Sequence, residues 1–199
     1  FIVSEGEMWE EVLKILKQKA DEGLDVRMIY DDMGCVTLLP GGYFKWLEKC
    51  GIKCMAFNPV IPFFSLVMNN RDHRKICVID GRVAFTGGIN LADEYINQKV
   101  RFGHWKDTAV MLKGEAVQNF TMMFLQMWNV SERGKEDYAK YLTPKSLDIR
   151  RELGFVLPYA DSPFDHENIG EQVYFHLLNH AKKYVHIMTP YLILDNEMV

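Results

Sequence analysis

The sequence has 199 residues, 48% of them hydrophobic and 25% charged, with a formal net charge of -4. That is enough chain for one large core, or for one domain and part of another. A mildly acidic balance removes any general electrostatic attraction to nucleic acid and leaves room only for a local basic site.

No apolar run is long enough to cross a bilayer. The chain starts without Met, on a strand-like Phe1-Ile2-Val3. It therefore reads as a piece of something longer, and a removed targeting or membrane segment is compatible with that reading. The four cysteines, Cys35, Cys50, Cys54 and Cys77, read as reduced thiols in a reducing compartment. Cys50 and Cys54 have no companion pair and no nearby His, so no metal site is expected there.

In chain order, Phe1 to Ser4 reads as a short strand. Met8, Trp9, Val12, Leu13, Ile15 and Leu16 share one face of a helix over Glu7 to Lys19. Ser4 is its expected N-cap, with Glu7 as capping-box partner. Asp25 to Tyr30 alternates like a strand, and a loop, DDMGCVTLLPGG, follows. Tyr43 to Lys49 predicts a short helix stopped by Gly51, and Lys53 to Phe57 a third strand. Strands alternating with helices argue for an α/β fold with a mixed or parallel sheet.

The stretch 59–70, PVIPFFSLVMNN, is apolar with two prolines. It reads either as a loop packed under the domain or as a wall that touches lipid. His73 to Asp80, the turn Gly81-Arg82 and Val83 to Thr86 predict a hairpin ending in Gly87-Gly88. Thr108 to Leu112 predicts another strand, and Glu115 to Trp128 a helix. Residues 131 to 154 are polar, as a linker would be. The opening pattern then returns: a strand at Gly154 to Leu157, a helix over Asn168 to Lys183 and a strand at Tyr184 to Thr189. This is a weak internal repeat.

The hairpin carries the chemistry. Alternate residues of a strand share a face, so His73 and Lys75 project together from Cα atoms about 6.6 Å apart. A lysine supplies fixed positive charge for the oxygens of a phosphodiester under attack. A histidine can attack phosphorus through one ring nitrogen. A lone H-x-K reads better as a half-exposed strand that starts with charged residues. The downstream spacing changes that weighting, because Gly87-Gly88 permits close backbone approach and Asn90 carries an amide donor. Asp80 falls on the opposite face by parity. It is expected to steady the strand end rather than touch a phosphate.

H-x-K-x-x-x-x-D followed by G-G-x-N resembles the HKD motif of the phospholipase D superfamily. The wider stretch NNRDHRKICVIDGRVAFTGGINLADEY is similar to bacterial cardiolipin synthases. So are the flanks YDDMG, AFNPV, HWKDT and TPYLILD. The resemblance implies a phospholipase D-like α/β sandwich with a mixed, largely parallel central sheet flanked by helices. It implies a duplicated fold whose two HKD motifs share one active site, with residues 1–150 as the first domain and 151–199 as a linker and the truncated start of the second.

By position, the resemblance makes His73 the nucleophile, Lys75 the phosphate-binding cation and Asn90 a phosphate-contacting amide, with Asp80 closing the motif. The carboxylate that orients the histidine is assigned to Asp107, with Glu94 as runner-up. Neither metal nor cofactor is implied. The implied activity joins two phosphatidylglycerols into cardiolipin and glycerol through a phosphohistidine. A hydrolytic phospholipase D and an inert lipid-binding module are the alternatives. The implied partners are the phospholipid, a membrane surface, the missing second HKD half and, in principle, a second copy of the chain. The implied place is the bacterial cell membrane, facing the cytoplasm. His104, His166, His176, His180 and His186 lack HKD surroundings, so half an active site is expected here.

Overall fold

The computed structural model describes residues 1–60, 70–130, 136–142, 154–162 and 167–189. The chain divides into two units, 1–156 and 157–199. In the first unit the order is α1 (Glu7–Asp21), β1 (Arg27–Asp31), α2 (Asp32–Cys35), α3 (Tyr43–Lys49), β2 (Lys53–Phe57), β3 (Ile76–Ile79), β4 (Val83–Gly87), β5 (Ala109–Lys113) and α4 (Val117–Val130). The expected mixed α/β class with flanking helices is what the structure shows. Among the described residues, β1 and β2 form a parallel two-stranded sheet, with Arg27 opposite Lys53. β3, β4 and β5 form an antiparallel sheet of their own.

α1 forms where the 3.6-residue pattern places it and turns Trp9 inward, with 1% of its surface exposed. Val12, Leu13 and Leu16 pack beside it against a core built on Tyr30, Leu47, Ile52 and Cys54. Each such large side chain removed from water contributes about 1.5–3 kcal/mol. Ile15 departs from the predicted face and stays 55% exposed. The buried Trp9 indole donates to the Tyr43 hydroxyl at 2.8 Å and ties α1 to α3.

The helix cap differs from the one the sequence predicts. Ser4 spends its hydroxyl on the neighbouring Glu5 carbonyl. Asp93, 85 or more residues away, instead accepts from the Glu7 and Met8 N–H groups at 3.1 and 2.9 Å. Gly6 makes this possible, since a Cβ there would lie 2.3 Å from an Asp93 oxygen. Asp93 is delivered by a pairing of the first segment with residue 91: Val3 bridges Leu91 in parallel. The strand expected at Phe1 to Ser4 is reduced to that single bridge.

In the antiparallel sheet, Ile76 and Val78 turn toward α4 and pack with Ala84, Leu112, Val117 and Phe120. The β3–β4 turn places Asp80 and Gly81 at φ 54° and 63°. The Arg82 N–H closes it by donating to the Ile79 carbonyl at 2.9 Å. Asp-Gly suits these positive φ values, as in the primed hairpin turns.

Within the second unit, the predicted helix is found as α5 (Ile169–His180). No strand forms at Gly154 to Leu157 or at Tyr184 to Thr189 among the described residues. A strand needs a paired neighbour to satisfy its backbone groups, and neither described sheet includes these segments. Residues 61–69, at the centre of the apolar stretch, lie outside the described residues, as do His166, most of 131–154 and nearly all of TPYLILD. Among the described residues, no helix is long and apolar enough to cross a membrane.

Candidate active site

The site begins at the end of β1. Asp31 closes that strand with a side chain fully removed from solvent. A buried carboxylate needs donors, and three converge on it. The Gly34 N–H lies at 2.9 Å as the cap of α2. The Arg71 guanidinium lies at 3.3 Å and the Asp72 N–H at 3.2 Å. Arg71 also donates to the Asn58 carbonyl at 3.1 Å. Asp72 in turn grips Arg74, accepting from Nε at 2.8 Å and Nη2 at 3.1 Å. The segment leading into β3 is thus pinned just before His73.

His73 and Lys75 stand together, although β3 begins only at Ile76, so both precede the strand from which parity was argued. The Lys75 ammonium lies 3.1 Å from Nδ1 and 3.3 Å from Nε2 of the imidazole. It donates to the His73 carbonyl at 2.7 Å. The same ammonium lies over the Phe1 ring, 5.7 Å from its centroid, where the π-face attracts it. The Phe1 ring packs on the same imidazole, with centroids 4.6 Å apart.

Burial, and then the Lys75 charge, push the His73 imidazole below its ordinary pKa. Burial pushes Lys75 down to about 8, against the opposing pull of Asp107 and Asp72. At neutral pH the pair is a neutral imidazole beside a cation short of counter-charge. A nucleophile needs the first and an anion-binding group the second.

Asp107 comes from the segment before β5. Its oxygens accept from the Trp105 indole at 3.1 Å and the Thr108 N–H at 2.7 Å. It packs against Gly88, where a Cβ would meet Oδ1 at 2.5 Å. The G-G pair therefore brings the downstream carboxylate close to the hairpin, within electrostatic reach of Lys75.

Residues 7–128 match the family model described as "Cardiolipin synthase, PLD-like domain". The chain belongs to this family. Over its whole length it is 37% identical to a cardiolipin synthase of Halalkalibacterium halodurans and 36% identical to one of Alkalihalophilus pseudofirmus, covering 39% of each. It is 59% identical to an uncharacterized protein of Streptococcus mutans, covering 42% of that protein. The chain thus spans about two fifths of the length of the curated relatives it matches.

Not every motif residue of this cardiolipin synthase family member gathers at His73. Asp80 sits at the exposed hairpin tip, past the end of β3, whereas His73 and Lys75 precede its start. It is a turn residue and is not brought to the cluster. Asn90 is buried, with 4% exposed. Its Oδ1 accepts from the Ile2 N–H at 3.0 Å and its amide donates to the Tyr95 hydroxyl. The phosphate contact expected of it rests on the one amide hydrogen not directed at Tyr95. Glu94, the runner-up carboxylate, pairs with Arg101 at 3.3 Å.

Sequence reasoning missed Asp31, Arg71 and Asp72 as site residues. The legible signal for Asp31 was an Asp at a strand end followed by Asp-Met-Gly, a cap pattern. Nothing local announced that the same carboxylate would hold residues 40 and 41 positions further on.

Proposed function

We propose that this chain supplies one half of the active site of a longer phosphatidyltransferase that makes cardiolipin from two phosphatidylglycerols. The supporting observation is the His73 imidazole beside the Lys75 ammonium at 3.1–3.3 Å. In the proposed reaction a His73 ring nitrogen attacks phosphorus of the first phosphatidylglycerol. The bond from phosphorus to the headgroup glycerol breaks, and that glycerol leaves after taking a proton from the second HKD half. The hydroxyl of a second phosphatidylglycerol then attacks the phosphohistidine, passes its proton back and restores free His73.

Lys75 holds the phosphate oxygens, and a bound anion returns to it the charge stabilisation that burial removes. Asp107 supports the Lys75 charge and is assigned to orient the catalytic groups. Asn90 offers its remaining amide hydrogen to a phosphate oxygen. Asp80 shapes the turn. Residues 151–199 begin the second repeat, whose HKD motif lies in the remainder of the longer polypeptide. A membrane surface supplies the lipid, and a second copy of the chain is the alternative source of the other half.

Labelled phosphatidylglycerol tests this in the longer polypeptide and in the chain alone. His73→Ala in the longer polypeptide is expected to lose at least about a thousandfold in turnover. The labelled product of the unaltered polypeptide is expected to be the dimeric lipid, and the chain alone is expected to turn over poorly. Undiminished transfer by His73→Ala refutes the assignment of the nucleophile. Phosphatidic acid as the product makes the enzyme a hydrolase, and robust turnover by the monomeric chain refutes the half-site.

A further inference from the structure

We propose that Asp31 is a positioning residue for His73, holding the chain immediately ahead of the histidine through Arg71 and the Asp72 main chain. The inference rests on the reading of His73 as the nucleophile. Two of the three donors to this buried carboxylate are the consecutive residues 71 and 72, and the third is Gly34 in α2. A carboxylate with no solvent exposure requires such partners. It thereby couples the end of β1 rigidly to the residue before His73.

A displacement of about 1 Å at a reacting group costs up to about a hundredfold in rate. A shared anchor of this kind is one way the fold avoids that loss. The coupling is also electrostatic. The charged groups facing His73 are Lys75, Asp31 and Asp72, and the two carboxylates favour the imidazolium. Neutralising Asp31 therefore makes the imidazole harder to protonate.

The test uses Asp31→Asn and Arg71→Met, singly and together, in the longer polypeptide. Turnover of phosphatidylglycerol is measured per folded molecule, and the His73 titration is followed by NMR of labelled imidazole. Each single variant is expected to lose about 10- to 100-fold in kcat with KM within about threefold of the parent. The double variant is expected to be no worse than the poorer single one, since each single change already removes the Asp31–Arg71 contact. The His73 midpoint is expected to move to lower pH in Asp31→Asn, carrying the acid limb of the kcat profile with it.

Variants that melt earlier but keep kcat per folded molecule and an unmoved His73 titration overturn the proposal and leave Asp31 a fold residue only. If Asp31→Asn does not fold, Arg71→Met with unchanged kcat overturns it equally. The titration needs no turnover. A shift in a polypeptide that transfers no lipid would refute the proposed function while supporting the positioning role.

Discussion

Gly87 and Gly88 are adjacent, yet replacing each by alanine is expected to do different things. Gly87 lies opposite Ala109 in the β4–β5 ladder. A Cβ on Gly87 would meet the Thr108 carbonyl oxygen at 2.6 Å and the Ala109 Cα at 2.9 Å. Both atoms are backbone, held by the ladder, and cannot give way without separating the strands. Overpacking of this kind costs about 1–3 kcal/mol. For a unit of this size each kcal/mol lowers Tm by about 2–4 °C, so Gly87→Ala should melt about 2–12 °C early.

A Cβ on Gly88 would meet only the Asp107 carboxylate, with Oδ1 at 2.5 Å and Oδ2 at 2.8 Å. That side chain can rotate away, so the stability loss should be the smaller of the two. Its displacement removes a negative charge that supports the Lys75 ammonium, so the Lys75 titration should move further down. Thermal unfolding by circular dichroism and NMR titration of the lysine measure the two effects. Equal melting losses in the two variants, or a Lys75 midpoint unmoved in Gly88→Ala, would refute the reasoning.

Asp93→Ala removes both acceptors at the start of α1 and should cost about 1 kcal/mol, read as an earlier melt, whereas Ser4→Ala should leave melting unchanged. If the Ser4 variant is the more damaging, the cap is misassigned. Lys75, with its pKa near 8, is deprotonated by half at a pH where ordinary lysines remain almost wholly charged. Limiting acetic anhydride at pH 8 should therefore acylate it ahead of the exposed lysines, as mass spectrometry of peptides would show. A preference for Lys14 or Lys53 over Lys75 would contradict the assignment.

Some of this architecture was legible residue by residue. Met8 to Leu16 recur with a helical period, Tyr43–Lys49 and Lys53–Phe57 formed with the predicted bounds, and Asp-Gly marked the hairpin turn. The closeness of His73 and Lys75 was legible from their two-residue spacing, although β3 starts only at Ile76 and strand parity does not account for it. Each of these rests on interactions within a few positions of the chain, where local sequence determines which backbone conformation is cheapest.

Tertiary structure alone decided what the local pattern could not contain. Asp93 displaced Ser4 as the helix cap because the Val3–Leu91 bridge brought it there. Asn90 turned largely inward because Ile2 and Tyr95 reached it first. Asp31 became the anchor of the HKD segment because Arg71 and the Asp72 N–H met it inside a dry site. Short polar side chains satisfy whichever donors folding places beside them. Partners 40 to 88 residues away are set by how the strands and helices pack, which no window of neighbouring residues records.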